Sequence, residues 1–270
     1  MRNLFFVPPS EIKRVAGCND RYARAALCAD MFRLNTLSMI MEAGSGHIGT
    51  SFSSMDIMTW LWTEEMRCPN ERGVLFSDIF FSSKGHDAPA LYAILLGLGK
   101  LPWEKVHSLR RLDGLPGHPD TETPFIVTNT GSLGMGVSKA CGMALANRCR
   151  GVFQRIFVLC GDGELQEGQF WESLQPVTNH GLSEIMVIVD RNQIQSDTWV
   201  SDTSTLGRIG DKLTAFGWIT DHCDGHSMRD LHKSITGLNV FPHNPKILFA
   251  NTVKGRGATF MEGSTGFKEG

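Results

Sequence analysis

The stretch from Arg155 to Asp197, RIFVLCGDGELQEGQFWESLQPVTNHGLSEIMVIVDRNQIQSD, constrains the fold more than any other part of the chain. It opens on an apolar run, Ile156 to Cys160, of the right length for one buried strand and bounded by glycine. Gly161-Asp162-Gly163 follows, where a chain leaving a parallel strand must turn sharply before a helix. A helix-like segment then carries Leu165, Phe170, Leu174 and Val177 and stops near His180-Gly181. A second apolar run, Ile185 to Val189, ends in Asp190-Arg191-Asn192-Gln193-Ile194. This is a β-loop-α-β unit with polar groups at the carboxyl ends of both strands, where open α/β sheets bind ligands.

The chemistry suggested at that edge is binding of a metal and a diphosphate. Asp162 and Asn192 offer two hard oxygens, and the Ile194 carbonyl offers a third. Magnesium takes octahedral oxygen coordination and keeps phosphate oxygens and water among its ligands. Gly163 lets the backbone approach a diphosphate, and the N–H groups at the start of the following helix favour an anion. Gly-Asp-Gly alone is an ordinary turn. The signal lies in its pairing with Asp190-x-Asn192 after the next strand.

The rest of the chain continues the alternation of strand and helix. Asp20 to Met41 reads as a helix from the recurrence of Leu27, Met31, Leu34, Leu37 and Met41 at spacings of three and four. It breaks at Glu42 to Thr50, where three glycines fall in six residues, and Ser53-Ser54-Met55-Asp56 starts another helix carrying Ile57, Leu61 and Trp62. Phe76 to Ser82 is a strand leading into Ser83-Lys84-Gly85-His86-Asp87 and a helix. Leu115 to Asp120 is a turn that holds His118 between prolines. Thr128 to Gly136 is a second glycine-rich turn before a helix of small residues (Ala140, Gly142, Ala144, Ala146). Further on, Ser201 to Gly210 reads as loop, Lys212 to Trp218 as a short helix and Ile219 to His222 as a strand. Met228 to Thr236 reads as a helix and Lys246 to Thr252 as a last buried strand before Val253-Lys254-Gly255-Arg256-Gly257. The expected fold is α/β: a doubly wound, mostly parallel sheet flanked by helices, with residues 1–270 forming one domain.

Composition narrows the function classes. With 41% hydrophobic and 20% charged residues the chain reads as an ordinary globular protein, and a net charge of −2 gives no footprint for nucleic acid. The apolar patch in MRNLFFVPPSEIKR is cut by Pro8-Pro9, so neither a signal peptide nor a membrane span is expected. Seven scattered cysteines without a C-x-x-C pair read as reduced thiols of a cytoplasmic protein, with Cys160 a small core residue.

GDGELQEGQFWES followed by DRNQIQSD resembles the thiamine-diphosphate (ThDP) enzymes, and transketolases among them. AGSGHIGTS, SSKGHDAPALYAIL, LPGHPDTE, TGSLGMGVSKACGMALA and DKLTAFGW with DGH (Asp224 to His226) resemble transketolase segments in the family's order, over most of Asp20 to Met261. The resemblance implies the diphosphate-binding domain of the ThDP fold. It implies that Asp162, Asn192 and the Ile194 carbonyl hold Mg²⁺, or another divalent cation such as Ca²⁺ or Mn²⁺. Gly131, Ser132, Leu133, Gly161, Gly163, Glu164 and Lys254 would contact ThDP, with His86 near the cofactor and the reacting carbons. His47 and His118 would touch oxygens of a ketose donor. Glu167 would lie at a subunit interface beside the aminopyrimidine ring, although a carboxylate at a helix N-terminus also has a purely stabilising use there.

Full-length transketolases continue past this region into a pyrimidine-binding domain and a third domain, whereas this chain stops at Gly270. The resemblance therefore implies the N-terminal subunit of a split transketolase, inactive alone, that assembles with a C-terminal partner in an α2β2 heterotetramer and acts on sugars or sugar phosphates. Lys268 stands where the family has a histidine, and Asp87, Gln193 and Ser196 are unusual at their positions. Two other readings remain open at this point. One is half of another ThDP enzyme, of the deoxyxylulose-phosphate-synthase or ketoacid-dehydrogenase E1 kind. The other is a ThDP-binding interaction subunit without turnover.

Overall fold

The apolar runs form strands of one parallel sheet. The computed structural model describes residues 5–67 and 77–263, so Lys268, Phe76 and Cys68 lie outside the described residues. The five strands are β1 (Ile79–Ser82), β2 (Ile156–Gly161), β3 (Ile185–Arg191), β6 (Ile219–Asp224) and β7 (Lys246–Asn251), in the order β1-β2-β3-β7-β6. Every pairing is parallel, with Phe157 opposite Met186 and Val189 opposite Phe249. A parallel strand covered on both faces has no polar side to show, which is why IFVLC, IMVIV and ILFA read as unbroken apolar runs.

Alternate residues of these strands feed two cores. Phe80, Phe157, Leu159, Ile188 and Leu248 pack with α2 (Arg21–Ala43), α4 (Met55–Trp60), α5 (Ala88–Gly97) and α10 (Met228–Leu238). Phe81, Val158, Cys160, Val187, Val189 and Phe249 pack on the other face with α6 (Gly136–Cys149) and α7 (Gly168–Asn179). Doubly wound packing follows. Leu174 on α7 is fully buried, and cutting it to alanine would cost about 2–5 kcal/mol in lost transfer energy and cavity.

Helix α2 begins at the Asp20 cap, whose carboxylate accepts from the Tyr22 N–H at 2.9 Å, and ends at Gly44 in the left-handed region (φ 70°). Its predicted apolar repeat is only partly the face it buries: Met31 packs against the core, but Leu27, Leu34 and Met41 are 48%, 53% and 61% exposed. The buried face is Ala25, Cys28, Ala29, Phe32, Thr36, Met39 and Ile40. Small residues let α2 lie close to α5, where Phe32 fills the space above Gly97; a Cβ there would come within 2.4 Å of its ring. Thr36 and Asn35 are tolerated inside because Thr36 bonds the Phe32 carbonyl and Asn35 bonds both backbone groups of Val7.

Other boundaries shift. A short helix α3 (Ile48–Ser53) starts inside the glycine-rich break, ahead of α4, the helix expected from Ser53-Ser54-Met55-Asp56. Part of the expected loop 201–210 is helical in α8 (Val200–Thr203), and α9 covers Ile209–Ala215 in place of Lys212 to Trp218. Helix α1 (Pro9–Val15) and the two-residue hairpin strands β4 (Ile194–Gln195) and β5 (Thr198–Trp199) are additions to the sequence reading.

Candidate active site

Four neighbouring strands deliver polar residues to one edge of the sheet. Beyond β1 come Ser83-Lys84-Gly85-His86, beyond β2 Asp162-Gly163, at and beyond β3 Asp190 and Asn192, and beyond β7 Thr252 to Gly255. Together with the loops at 46–50, 118 and 131–133 they enclose a cavity of about 1020 Å³.

Its floor is a buried ionic network. Lys84 is 2% exposed, and its ammonium donates to Asp190 Oδ2 at 2.8 Å and Thr50 Oγ1 at 2.9 Å and lies 3.3 Å from Asp87 Oδ2. Burial opposes its charge, but the two carboxylates hold the Lys84 pKa above its ordinary value and Lys84 holds Asp190 below its own. Asp190 also accepts from Ser53, Thr252 and Asn192. The Asn192 amide is thereby oriented: its nitrogen faces Asp190, and its oxygen turns to the Ile194 N–H at 3.1 Å.

Three histidines stand above this floor. The His86 Nδ1–H donates to the Lys84 carbonyl at 3.0 Å, leaving Nε2 as an acceptor. Burial, then the Lys84 charge, pushes the His86 pKa down to about 4, so the imidazole is neutral at pH 7. His47 meets its edge at a centroid distance of 5.1 Å and is also shifted down, by partial burial and then by Arg110, His118 and Lys254. His118 lies over Gly131, where a Cβ would come within 2.8 Å of the ring, and its carbonyl accepts from the buried Tyr92 hydroxyl at 3.2 Å. The backbones at Gly85 and Gly131 also touch: a Cβ on Gly85 would meet the Gly131 nitrogen at 2.7 Å. Glycine is required at both positions for the walls to close.

The residues fit a metal-bound diphosphate. Asp162 is 7% exposed and, among the described residues, its oxygens accept only from the backbone N–H groups of Gly163 and Gln193. Burial and then the nearby Asp190 charge raise its pKa to about 6, a cost that a cation bound there would offset. The Lys254 ammonium donates to the Ser196 carbonyl at 2.8 Å and the Ile194 carbonyl at 3.4 Å, so one of the oxygens expected to bind a metal already faces positive charge. Gln193 and Ser196 in this loop have φ of 67° and 44°, a region that favours glycine.

The cavity wall therefore brings together His47, His86, His118, Gly131, Leu133, Gly161, Asp162, Gly163, Glu164, Glu167, Asn192, Ile194 and Lys254. Ser132 is exposed and does not line it. The Glu164 carboxylate is engaged by Ser83 and by the N–H groups of Gly134 and Gly161, which ties the β1, β2 and 131–134 loops together. Glu167 is the N-cap of α7 yet its side chain makes no capping bond; it is exposed at the mouth. The sequence reading missed Lys84 and the enclosing role of Asp190 and Asp87. The available signal was an ionisable residue closing each apolar strand, FFSSK and MVIVD.

A parallel sheet with a buried carboxylate, an oriented asparagine oxygen and glycine-lined walls at its carboxyl edge defines a domain for a diphosphate cofactor and its metal. The family model described as "Transketolase, thiamine diphosphate binding domain" matches residues 24–268, and the chain belongs to this family. It is 36% identical to the 6-deoxy-6-sulfo-D-fructose transketolase subunit SqwG of a Clostridium species, over 87% of this chain and 86% of that one. It is 33% identical to an apulose-4-phosphate transketolase subunit of Phocaeicola vulgatus, covering 86% and 83%. The Campylobacter jejuni transketolase structure superposes with a TM-score of 0.83 at 28% identity; the match covers 89% of this chain and 39% of that one.

Proposed function

We propose that this chain is the N-terminal, ThDP-binding subunit of a two-chain transketolase that moves a two-carbon ketol unit from a ketose or ketose phosphate to an aldose. The observation that carries the proposal is one cavity at the sheet's carboxyl edge that collects all but one of the site residues expected from the sequence. The relatives named as subunits support a partner chain, which would supply the pyrimidine-binding half; an α2β2 assembly is part of the proposal. No helix among the described residues is long and apolar enough to cross a membrane. Scattered cysteines without a C-x-x-C pair, those described being free thiols, support the reading of a cytoplasmic enzyme.

Asp162, Asn192 and the Ile194 carbonyl would hold Mg²⁺, and Gly131, Leu133, Gly161, Gly163 and Lys254 would hold the cofactor. When bound, ThDP supplies the electron sink for carbon–carbon bond cleavage. The protein's task is to orient, polarise and move protons. Neutral His86 presents an acceptor nitrogen to the cavity and can take a proton there. His47 and His118 would hydrogen-bond hydroxyl and carbonyl oxygens of the sugar, and Glu167, exposed at the mouth, would meet the partner beside the aminopyrimidine ring.

The test is a ketol-transfer assay with ThDP and Mg²⁺ on this chain alone and on its mixture with a candidate C-terminal subunit. Activity is expected only in the mixture. Turnover by the chain alone would overturn the two-chain reading, and a mixture that binds no ThDP would overturn the family role.

A further inference from the structure

The Asp224-Gly225-His226 turn after β6 is not part of the cavity wall, yet it holds one end of it. Gly225 donates to the Asn251 carbonyl at 2.8 Å, and a Cβ there would strike Thr252 at 2.5 Å, so the turn lies directly against the exit of β7. His226 is thereby set between two groups. Its Nδ1 lies 2.7 Å from Asp56 Oδ2, and its Nε2 accepts the Val253 N–H at 2.8 Å. Asp56, 5% exposed, is also bonded by the Arg33 guanidinium. A carboxylate held by arginine accepts a hydrogen bond, so the proton sits on Nδ1 and the Nε2 lone pair meets the amide.

That amide is next to Lys254. On the other side, the Gly255 N–H bonds the Gly49 carbonyl at 3.0 Å, and the Lys254 stem packs on Gly49, where a Cβ would come within 3.1 Å. Thr252 is tied to the Arg191 carbonyl and to Asp190. The strap 252–255 is thus pinned to three parts of the protein, the end of β3, His226 and Gly49, and the pin immediately before Lys254 is a side chain.

We propose that His226 is a positioning residue for Lys254: the chain Arg33–Asp56–His226–Val253 N–H fixes the height of the strap and so the place of the Lys254 ammonium at the diphosphate end of the cavity. The proposal rests on the cofactor role given to Lys254 above. His226 itself touches neither cofactor nor substrate.

Two measurements on the full chain test it. Amide hydrogen exchange without cofactor should show Val253 to Gly255 exchanging about fivefold to tenfold faster in His226→Leu, the effect of one lost hydrogen bond, with the sheet unchanged. His226→Gln, whose Oε1 can accept at the Nε2 position, should exchange close to the wild-type rate. In calorimetry with Mg²⁺, His226→Leu should weaken ThDP about tenfold but leave thiamine, which lacks the diphosphate, unaffected; in a Lys254→Ala background it should weaken ThDP no further. Unaltered exchange at Val253 in His226→Leu would overturn the anchoring. An equal loss of ThDP affinity with and without Lys254 would overturn the link to Lys254, leaving the family reading intact. A wild-type chain, with its partner, that binds no ThDP would remove the cofactor role of Lys254, while exchange would still decide whether His226 holds the strap.

Discussion

The cavity has a floor and a rim, and the two are built on opposite principles. In the floor, Lys84, Asp190, Thr50, Ser53 and Thr252 are buried and hydrogen-bonded to one another. At the rim, Glu167, His118 and Leu133 are exposed, and the Glu167 carboxylate makes no capping bond. A buried charge must be paired within the chain that buries it, whereas groups left open at a mouth are available to a ligand or another chain. The floor should therefore respond to mutation as a matter of stability, and the rim as a matter of function.

The largest expected effect is on the floor. Lys84→Met strands Asp190 and Asp87 beside each other without a cation, and chemical denaturation should show a loss of about 3–5 kcal/mol. Adding Asp190→Asn should restore part of that loss, because the second change removes one stranded charge. A double variant less stable than the sum of the singles would break the account of the floor as a compensated network. Between floor and rim lies the metal end: Asp162→Ala should leave the chain folded but weaken Mg²⁺-dependent ThDP binding about a hundredfold or more, or about 2.7 kcal/mol. Unchanged ThDP affinity in calorimetry would remove Asp162 from the metal site.

His86 joins the two levels, bonded to the Lys84 carbonyl below and facing the cavity above. Its pKa is pushed down to about 4 in the folded chain and returns to 6.5 when unfolded. Below pH 6.5 the unfolded state then binds more protons than the folded one, so stability falls with pH between 6.5 and 4 and is unaffected by this group above 6.5. The loss between pH 7 and pH 5 should be about 2 kcal/mol. Denaturation of His86→Gln at both pH values isolates it: if the variant loses as much on acidification as the wild type, His86 is not the buried neutral group described.

The sequence made the sheet legible and the floor nearly invisible, for one physical reason. Strands buried on both faces announce themselves as short apolar runs, so β2, β3 and β7 can be placed to within two residues of their ends. A lysine and an aspartate that close such runs carry no periodic signal, and only the register of Ser82 with Leu159 and of Gly161 with Asp190 brings Lys84 to Asp190. The outer apolar stripe of α2 misled for a related reason. Hydrophobic spacing finds a helix, but close approach to α5 favoured the face of alanines and cysteine over the face of leucines. At the site, the glycines and histidines were legible because their loops resemble a known family. The His226 pin was not, because a bond to a backbone amide leaves no pattern to read.

The smallest stability effect sharpens the comparison most. Glu167→Gln removes a charge from an exposed N-cap that makes no side-chain bond, so denaturation should shift by no more than about 0.5 kcal/mol. The same variant, mixed with a competent C-terminal partner, should lose ketol transfer by at least about a hundredfold, the lower end of what an acid–base group contributes. If Glu167 served only to stabilise the start of α7, the two readouts would move the other way: a measurable fall in stability and full activity in the mixture. A rim residue that costs nothing to remove and yet silences the assembly is the outcome expected if the chain's own folding ends at the floor and its chemistry is completed across the mouth.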